Sequence, residues 1–270
     1  MSKISIVIPV FNAGRYLCDC IASLHCQTLR DVEFIFVDDA STDDGPDIIA
    51  GFAKKDKRVV FIQLPENVGS FMARKIGVEK VNSPYVTFLD PDDSLLPDAC
   101  RLFVEKLDGT SADIVHGAMI VENKGNVPQK QIEAIIRMTT PKFKKLEGRE
   151  ILRELTAGGN VNPSLIGKAY RTDLVKRAND MISNGRYRRA QDYLVNFVVG
   201  CMAEKYVSIP ENVYRYGYGN GFFGAVKHDI SHYAMLCSQV DILKPLRETV
   251  SQFFSADTKV GEALCSVEKK

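Results

Sequence analysis

A doubly wound α/β sheet is the fold this sequence predicts, and three observations predict it. Short runs rich in Ile, Val and Phe recur along the first ~120 residues, each bounded by turn residues. Stretches with a helical apolar stripe lie between those runs. The polar residues hardest to bury stand just after the runs, where the carboxyl ends of parallel strands would lie and where such sheets bind ligands.

Lys3–Val10 (KISIVIPV) reads as the first strand; its unbroken apolar run suits a parallel sheet covered on both faces. A helix follows from about Ala13, with Leu17, Ile21 and Leu24 on one stripe. Val32–Asp38 is the second strand, and it runs into Asp39. Ser41, Thr42 and Asp43 offer caps for a helix reaching about Lys55. Arg58–Gln63 is the third strand, and a loop holding Pro65, Asn67 and Gly69 leads into a helix around Phe71–Val81. Tyr85–Leu89 is the fourth strand, a helix begins near Pro97, and Ala112–Val121 is a further strand. Gly125–Lys145 is polar, basic and weakly periodic, so a mobile loop over the site is expected there. Beyond it come helical stripes at Glu147–Leu155 and Gln191–Ala203 and a strand at Tyr206–Ile209. One or two helices, interrupted near Pro245, are expected within Asp229–Phe254, and the last dozen residues look frayed. The expected division is a ligand-binding core over 1–121, the rest of the same domain over 122–225 and a helical extension over 226–270.

The 270 residues are 45% hydrophobic and 26% charged, an ordinary balance for a globular protein. A net charge of +1 gives no overall pull toward nucleic acid, and none is expected as a partner. The seven cysteines include no C-x-x-C pair, so free thiols in a reducing compartment are expected. The chain enters a strand pattern at once, and no apolar run approaches the ~20 residues of a membrane-spanning helix. A cytoplasmic protein is expected, with peripheral contact at the inner membrane face and homo-oligomer formation left open. His25, His116, His228 and His232 have no metal-ligand spacing, and Lys142, Lys144 and Lys145 form a short basic run.

The fourth strand ends in Asp90-Pro91-Asp92-Asp93, three carboxylates within four positions. Carboxylates so close repel one another, and burying one costs several kcal/mol unless positive charge compensates. A divalent ion is the simplest compensator, and hard oxygen ligands favour Mg²⁺ or Mn²⁺. Mg²⁺ held by one or two carboxylates takes its other ligands from water and substrate phosphates, so the cluster points to a phosphate-bearing substrate.

Several stretches together resemble family 2 of the glycosyltransferases. Ile6-Val7-Ile8-Pro9-Val10-Phe11-Asn12 is similar to the family's first strand and nucleotide-binding turn. Gln27-Thr28 and Glu33 through Asp43 are similar to its second landmark, and Asn67-Val68-Gly69 with Ala73, Arg74 and Gly77 to its third. Asp90-Pro91-Asp92-Asp93 stands where the family carries an Asp-x-Asp motif. The resemblance implies the GT-A fold, a Rossmann-like doubly wound mixed sheet with a more helical acceptor-side region. It also implies a UDP-sugar donor, Mn²⁺ or Mg²⁺, a saccharide or lipid-linked saccharide acceptor, and inversion at the anomeric carbon.

Carried over by position, Asp39 would accept a hydrogen bond from the nucleotide base, with Pro9, Val10, Asn12 and Asn67 shaping that pocket. Arg74 would approach the phosphates or the acidic cluster. Asp92 and Asp93 are the metal candidates and Asp90 a donor contact; which carboxylate touches the ion stays open. An inverting transfer needs a general base for the acceptor hydroxyl, and Asp192 in Gln191-Asp192-Tyr193 matches the family's acidic pair, with Gln191 replacing the first acid. Tyr214-Arg215-Tyr216 matches an aromatic-Arg-aromatic stretch of the family; Tyr214, Tyr216 and Tyr218 alternate at strand spacing and either pack or stack on a sugar. No motif of polymerising members is present, so one sugar per encounter is expected. Two other readings compete with it: a phosphotransfer receiver domain, whose acidic residues follow different strands, and a catalytically inactive nucleotide-sugar-binding partner subunit.

Overall fold

A computed structural model describes residues 1–125, 127–156, 160–187, 190–219 and 242–268. The first half follows the predicted alternation: β1 (Ile4–Val10), α1 (Gly14–His25), β2 (Val32–Asp38), α2 (Gly45–Ala53), β3 (Val59–Gln63), α3 (Ser70–Lys80), β4 (Tyr85–Phe88), β5 (Ser94–Leu95), α4 (Ala99–Thr110) and β6 (Ile114–Asn123). The second half adds α5 (Gln129–Thr139), β7 (Lys145–Glu147), α6 (Arg149–Thr156), β8 (Lys168–Arg171), α7 (Thr172–Met181), α8 (Gln191–Met202) and β9 (Lys205–Tyr218). Two helices close the described chain, α9 (Leu243–Phe253) and α10 (Thr258–Glu268).

Among the described residues the strands form one sheet in the order β3-β2-β1-β4-β8-β6-β9-β5, with β7 paired to β9. β3, β2, β1 and β4 are mutually parallel, whereas β8 runs antiparallel between β4 and β6. The sheet is therefore doubly wound on one side and mixed on the other. β1 and β2 are apolar on both faces because both faces are covered. Ile4, Ile6, Ile8, Phe34 and Phe36 pack with Leu17, Ile49 and Phe103 on one side. Val7, Ile35 and Val37 pack with Phe71, Val78 and the second-half helices on the other. Among the described residues, no helix is long and apolar enough to cross a membrane.

Two landmarks of the sequence serve the scaffold. Gln27 is fully buried at the end of α1; its amide donates to the Leu96 carbonyl at 2.9 Å and accepts from the Cys100 N–H at 3.1 Å, fixing the approach to α4. Asp43 does not cap α2 as its first residue. Its carboxylate accepts the Gly14 N–H at 2.8 Å and the Gly45 N–H at 3.0 Å, so one side chain satisfies amides at the starts of both α1 and α2.

The structure corrects three expectations. Gly125–Lys145 is not a loop throughout: Gln129–Thr139 is helical, with Ile132 and Thr139 buried one above the other, a stripe that the interleaved charges obscure in the sequence. The strand expected at Tyr206–Ile209 runs on to Tyr218, because two register shifts against β6, around Gly117 to Met119, absorb Pro210 and the residues after it. Pro245 lies in the first turn of α9, where a missing N–H is harmless; the residues before Ile242, on which the expected interruption depends, lie outside the described residues. Thr258–Glu268 is helical rather than frayed, anchored by Val260 and Ala263 in the core. His228, His232 and the helix start expected at Asp229 lie outside the described residues.

Gly77 sets how closely α3 approaches the sheet. A Cβ there would stand 2.5 Å from Val7 Cγ1 and 3.2 Å from Val37 Cγ2. Gly77→Ala should destabilise the protein by about 1–3 kcal/mol from overpacking, offset in part by ~1 kcal/mol of gained helix propensity. Urea denaturation measures the difference; an equal or higher midpoint would show that α3 can back away from β1 and β2.

Candidate functional site

Side chains from four strand ends meet at the carboxyl edge of β1, β2, β3 and β4. The Asp39 N–H donates to the Val10 carbonyl at 2.8 Å, and the Leu64 N–H to the Asp38 carbonyl at 2.9 Å, so the pairing continues into the loops. Pro9 and Val10 are buried at the end of β1. Asn12 follows with a φ of 49°; its N–H donates to Ser41 Oγ at 2.9 Å and its Oδ1 accepts the Thr42 N–H at 2.8 Å. That conformation suits Asn better than most side chains.

Asp39 is buried and grips the loop before α3. Its Oδ1 accepts the Val68 N–H at 2.7 Å and its Oδ2 the Gly69 N–H at 2.9 Å, while Asn67 Nδ2 donates to the Asp39 carbonyl at 3.1 Å. Each carboxylate oxygen keeps a second lone pair for a ligand. Burial raises the Asp39 pKa, against the pull of the two amides and of Arg186. Arg186 reaches over from the second half of the chain and donates to Asn67 Oδ1. Gly69, with a φ of +89°, leaves room for it: a Cβ there would stand 3.1 Å from Arg186 Cγ.

The three carboxylates after β4 take different surroundings. Asp93 is 3% exposed; its Oδ2 accepts the Tyr214 hydroxyl at 2.8 Å and its Oδ1 the Gly217 N–H at 2.7 Å. Burial, then Asp90 and Asp92, push the Asp93 carboxyl up to about 8. The Tyr214 oxygen also accepts the Asp90 N–H at 3.1 Å, so β9 and the acidic turn are stitched through one phenol. Asp92 is half-buried, and its pKa is raised by burial and by Asp90. Asp90 ion-pairs with Arg74 at 2.5 Å.

Arg74 joins this cluster to the other half of the site. It is 8% exposed, and its second pairing is with Asp192 Oδ1 at 3.3 Å. Burial pulls the guanidinium's pKa down, but Asp90 and Asp192 outweigh it and the net shift is upward. Asp192 stands in the first turn of α8, at the positive end of its dipole. Its Oδ2 accepts the Ser164 hydroxyl at 3.1 Å and the Leu165 N–H at 3.2 Å. The Asp192 side chain is 24% exposed, so a substrate can reach it. Gln191, beside it, donates to Ser70 Oγ and ties the start of α8 to the start of α3.

Among the described residues no group of three His, Cys, Asp or Glu side chains is gathered to enclose a metal. A divalent ion would here draw on Asp92 and its neighbour Asp90 and complete its shell with water and substrate oxygens, the usual mode of Mg²⁺. The half-buried, mutually repelling pair fits that use. Asp93 is turned instead to Tyr214 and Gly217.

The predicted residues thus fall in two groups: Pro9, Val10, Asn12, Asp39 and Asn67 at the ends of the first strands, and Asp90, Asp92, Asp93, Arg74 and Asp192 around the acidic turn. Lys144 and Lys145 are not brought there; they lie beside the first residues of β9, roughly 25 Å along the strand from Gly217, and Lys142 donates to Asn160 Oδ1 at 3.1 Å. Sequence reasoning missed Arg186, Ser164 and Leu165. Arg186 sits in a basic stretch that could have flagged it, whereas Ser164 and Leu165 lie in a segment without periodicity or motif.

The model of the family described as "Glycosyl transferase family 2" matches residues 5–203. Glycosyltransferase GlyG of Streptococcus pneumoniae is 27% identical over 234 residues, which are 84% of this chain and 75% of that protein. The crystal structure of S. aureus TarS 1-349 in complex with UDP-GlcNAc superposes with a TM-score of 0.74 at 21% identity, over 98% of this chain and 71% of that one. Mannosyltransferase PcManGT from Pyrobaculum calidifontis, in complex with GDP-Man and Mn²⁺, superposes with a TM-score of 0.64 at 14% identity, over 98% of this chain and 68% of that one. At these identities the two structures establish a shared fold, the GT-A architecture expected from the sequence.

Arg74→Met would leave two carboxylates facing each other across an apolar side chain. It should cost about 2–4 kcal/mol of stability, below the full value for a buried pair because Asp90 and Asp192 keep some solvent. An unchanged urea midpoint would refute this. The Asp93 carboxyl holds its proton up to about pH 8 in the fold, against an ordinary value of 3.8. The stability it contributes is therefore complete below about pH 4 and lost as pH rises through about 8. Thermal melting without divalent ions should show the wild type losing ground to Asp93→Asn between about pH 5 and pH 8; a constant difference across that range would contradict the assignment.

Proposed function

The chain belongs to glycosyl transferase family 2, and from that premise we propose that it moves one sugar from a UDP-sugar to a saccharide or lipid-linked saccharide, with inversion at the anomeric carbon. The observation that carries the reading is the Arg74 bridge. One buried guanidinium holds Asp90, on the acidic turn, and Asp192, at the start of α8, within a single site. A transferase that displaces a diphosphate needs these two functions side by side: charge compensation for the leaving group and a base for the incoming hydroxyl.

In this reading the nucleotide lies along the ends of β1, β2 and β3. Asp39 receives the base with its remaining lone pairs, and Asn12, Asn67 and Arg186 border it; Pro9 and Val10 form the floor. The two main-chain amides that hold the Asp39 carboxylate fix its direction before substrate arrives, which limits the ordering needed on binding. Asp92, with Asp90, would hold Mn²⁺ or Mg²⁺, which when bound acts as a Lewis acid toward the departing nucleoside diphosphate. Asp93 takes part by fixing Tyr214 and Gly217 behind that turn.

Asp192 is the general base. Its Oδ2 is saturated by Ser164 and Leu165, while Oδ1 has, among the described residues, only the long contact from Arg74 and is the oxygen offered to an acceptor hydroxyl. As that hydroxyl attacks the anomeric carbon, its proton passes to Oδ1 and the electrons of the sugar–phosphate bond leave with the diphosphate. The half-exposed Tyr216 and Tyr218 rings, 6.0 Å apart, offer apolar faces to a sugar beside the acidic turn.

Calorimetric titration of UDP, GDP and CMP, each with and without Mn²⁺, tests the donor class. UDP should bind only with Mn²⁺, and that binding should vanish in Asp92→Asn; a preference for GDP or CMP would overturn the donor assignment. A screen of UDP-sugars, UDP-GlcNAc first, then identifies the donor. Asp192→Asn should keep UDP affinity while losing about 10²–10⁴-fold in kcat. Equal loss of nucleotide binding in both variants would refute the division of roles.

A further inference from the structure

Lys168 is 1% exposed on the central strand β8, and main-chain carbonyls alone hold its amine among the described residues. An amine is an expensive group to bury without a carboxylate, and an apolar side chain would fill the same space at lower cost. What it grips explains its presence. Its Nζ donates to the Asn162 carbonyl at 2.8 Å and to the Ser164 carbonyl. The carbonyl between them, on Pro163, accepts Asn196 Nδ2 at 2.6 Å, and the Tyr170 hydroxyl holds Asn196 Oδ1 at 2.9 Å. Three consecutive carbonyls are thus each fixed by a side chain from the core. The stretch they belong to has no helix or strand ladder of its own. Gly167, with a φ of +69°, turns it into β8, where a Cβ would meet Met119 Cε at 2.2 Å.

The other side of this stretch carries the Ser164 hydroxyl and the Leu165 N–H, which hold Asp192 Oδ2. We propose that Lys168 is a positioning residue for Asp192: by fixing the carbonyls of Asn162 and Ser164 it holds the segment that orients the carboxylate and keeps Oδ1 free for the acceptor. The inference rests on the reading of Asp192 as the base. Burial draws the Lys168 amine down to about 7 against the pull of Asp192. The neutral amine still has two N–H donors for two carbonyls, so the clasp holds in either state.

The test uses Lys168→Met, Ser164→Ala and the double variant in the full chain, with Asp192→Asn in parallel. UDP release is followed with UDP-GlcNAc, or with the UDP-sugar that the screen above selects, and UDP affinity by calorimetry. Each single variant should lower kcat about tenfold or more while KM for the donor and Kd for UDP stay within about twofold. The double variant should be no worse than the more damaged single, because both act through one path. Effects that multiply, a kcat at wild-type level in Lys168→Met, or a donor KM that rises in step with the loss would each overturn the proposal. If Lys168→Met does not fold, Ser164→Ala decides: a wild-type kcat there overturns it. An active Asp192→Asn would instead remove the base itself, whereas an inactive one beside a fully active Lys168→Met removes only this inference.

Discussion

The Arg74 guanidinium is the interaction on which the site depends. It is buried on α3, and the two carboxylates that balance it come from opposite halves of the chain, Asp90 after β4 and Asp192 on α8. Alone, a buried arginine would be costly, as would either carboxylate facing the other; together the cation is compensated and the repulsion between the two carboxylates is relieved. The surrounding structure brings them into register. Gly77 lets α3 lie close on β1 and β2, Asp39 fixes the loop that starts α3, and the Gln191–Ser70 hydrogen bond aligns α8 with it. The same bridge joins residues from the two halves of the chain in one candidate site.

Carboxylates are used here for two different purposes. Asp39, Asp43 and Asp93 each accept two hydrogen bonds, at least one from a main-chain N–H, and so hold loops and helix starts in place. Asp192 is held on one oxygen by Ser164 and Leu165, and Asp92 has no hydrogen bond to another side chain among the described residues, only the longer-range pull of Lys124 and Arg15. These two keep capacity for a substrate or an ion, as Asp39 does through the second lone pair of each oxygen. In a crowded acidic site the hydrogen-bond partners, more than the count of carboxylates, separate scaffold from chemistry.

Much of the fold was legible because its signals are local. The apolar runs of β1 and β2, buried on both faces, and the turn residues that bound them give the parallel half of the sheet. Asn12, Asp39, Asn67 and Asp90 were legible as one edge because a doubly wound sheet puts every strand's carboxyl end on the same side. The second half was read less well. β8 is four residues long and carries no alternation, and α5 hides its stripe among charges. β9 continues through Pro210 only because pairing with β6 tolerates two register shifts there.

By itself the sequence determined the membership in glycosyl transferase family 2, the sheet's parallel half and the identity of the acidic residues, since strand periodicity and motif order are properties of neighbouring positions. Only the tertiary structure decided which partners those residues take. That Asp93 turns to Tyr214, that Arg74 spans Asp90 and Asp192, and that Ser164 and Lys168 stand behind Asp192 all depend on contacts between segments up to 121 residues apart. Such contacts are set by how helices pack on the sheet, and helix packing is fixed by shape and burial across the whole core rather than by any local pattern in the chain.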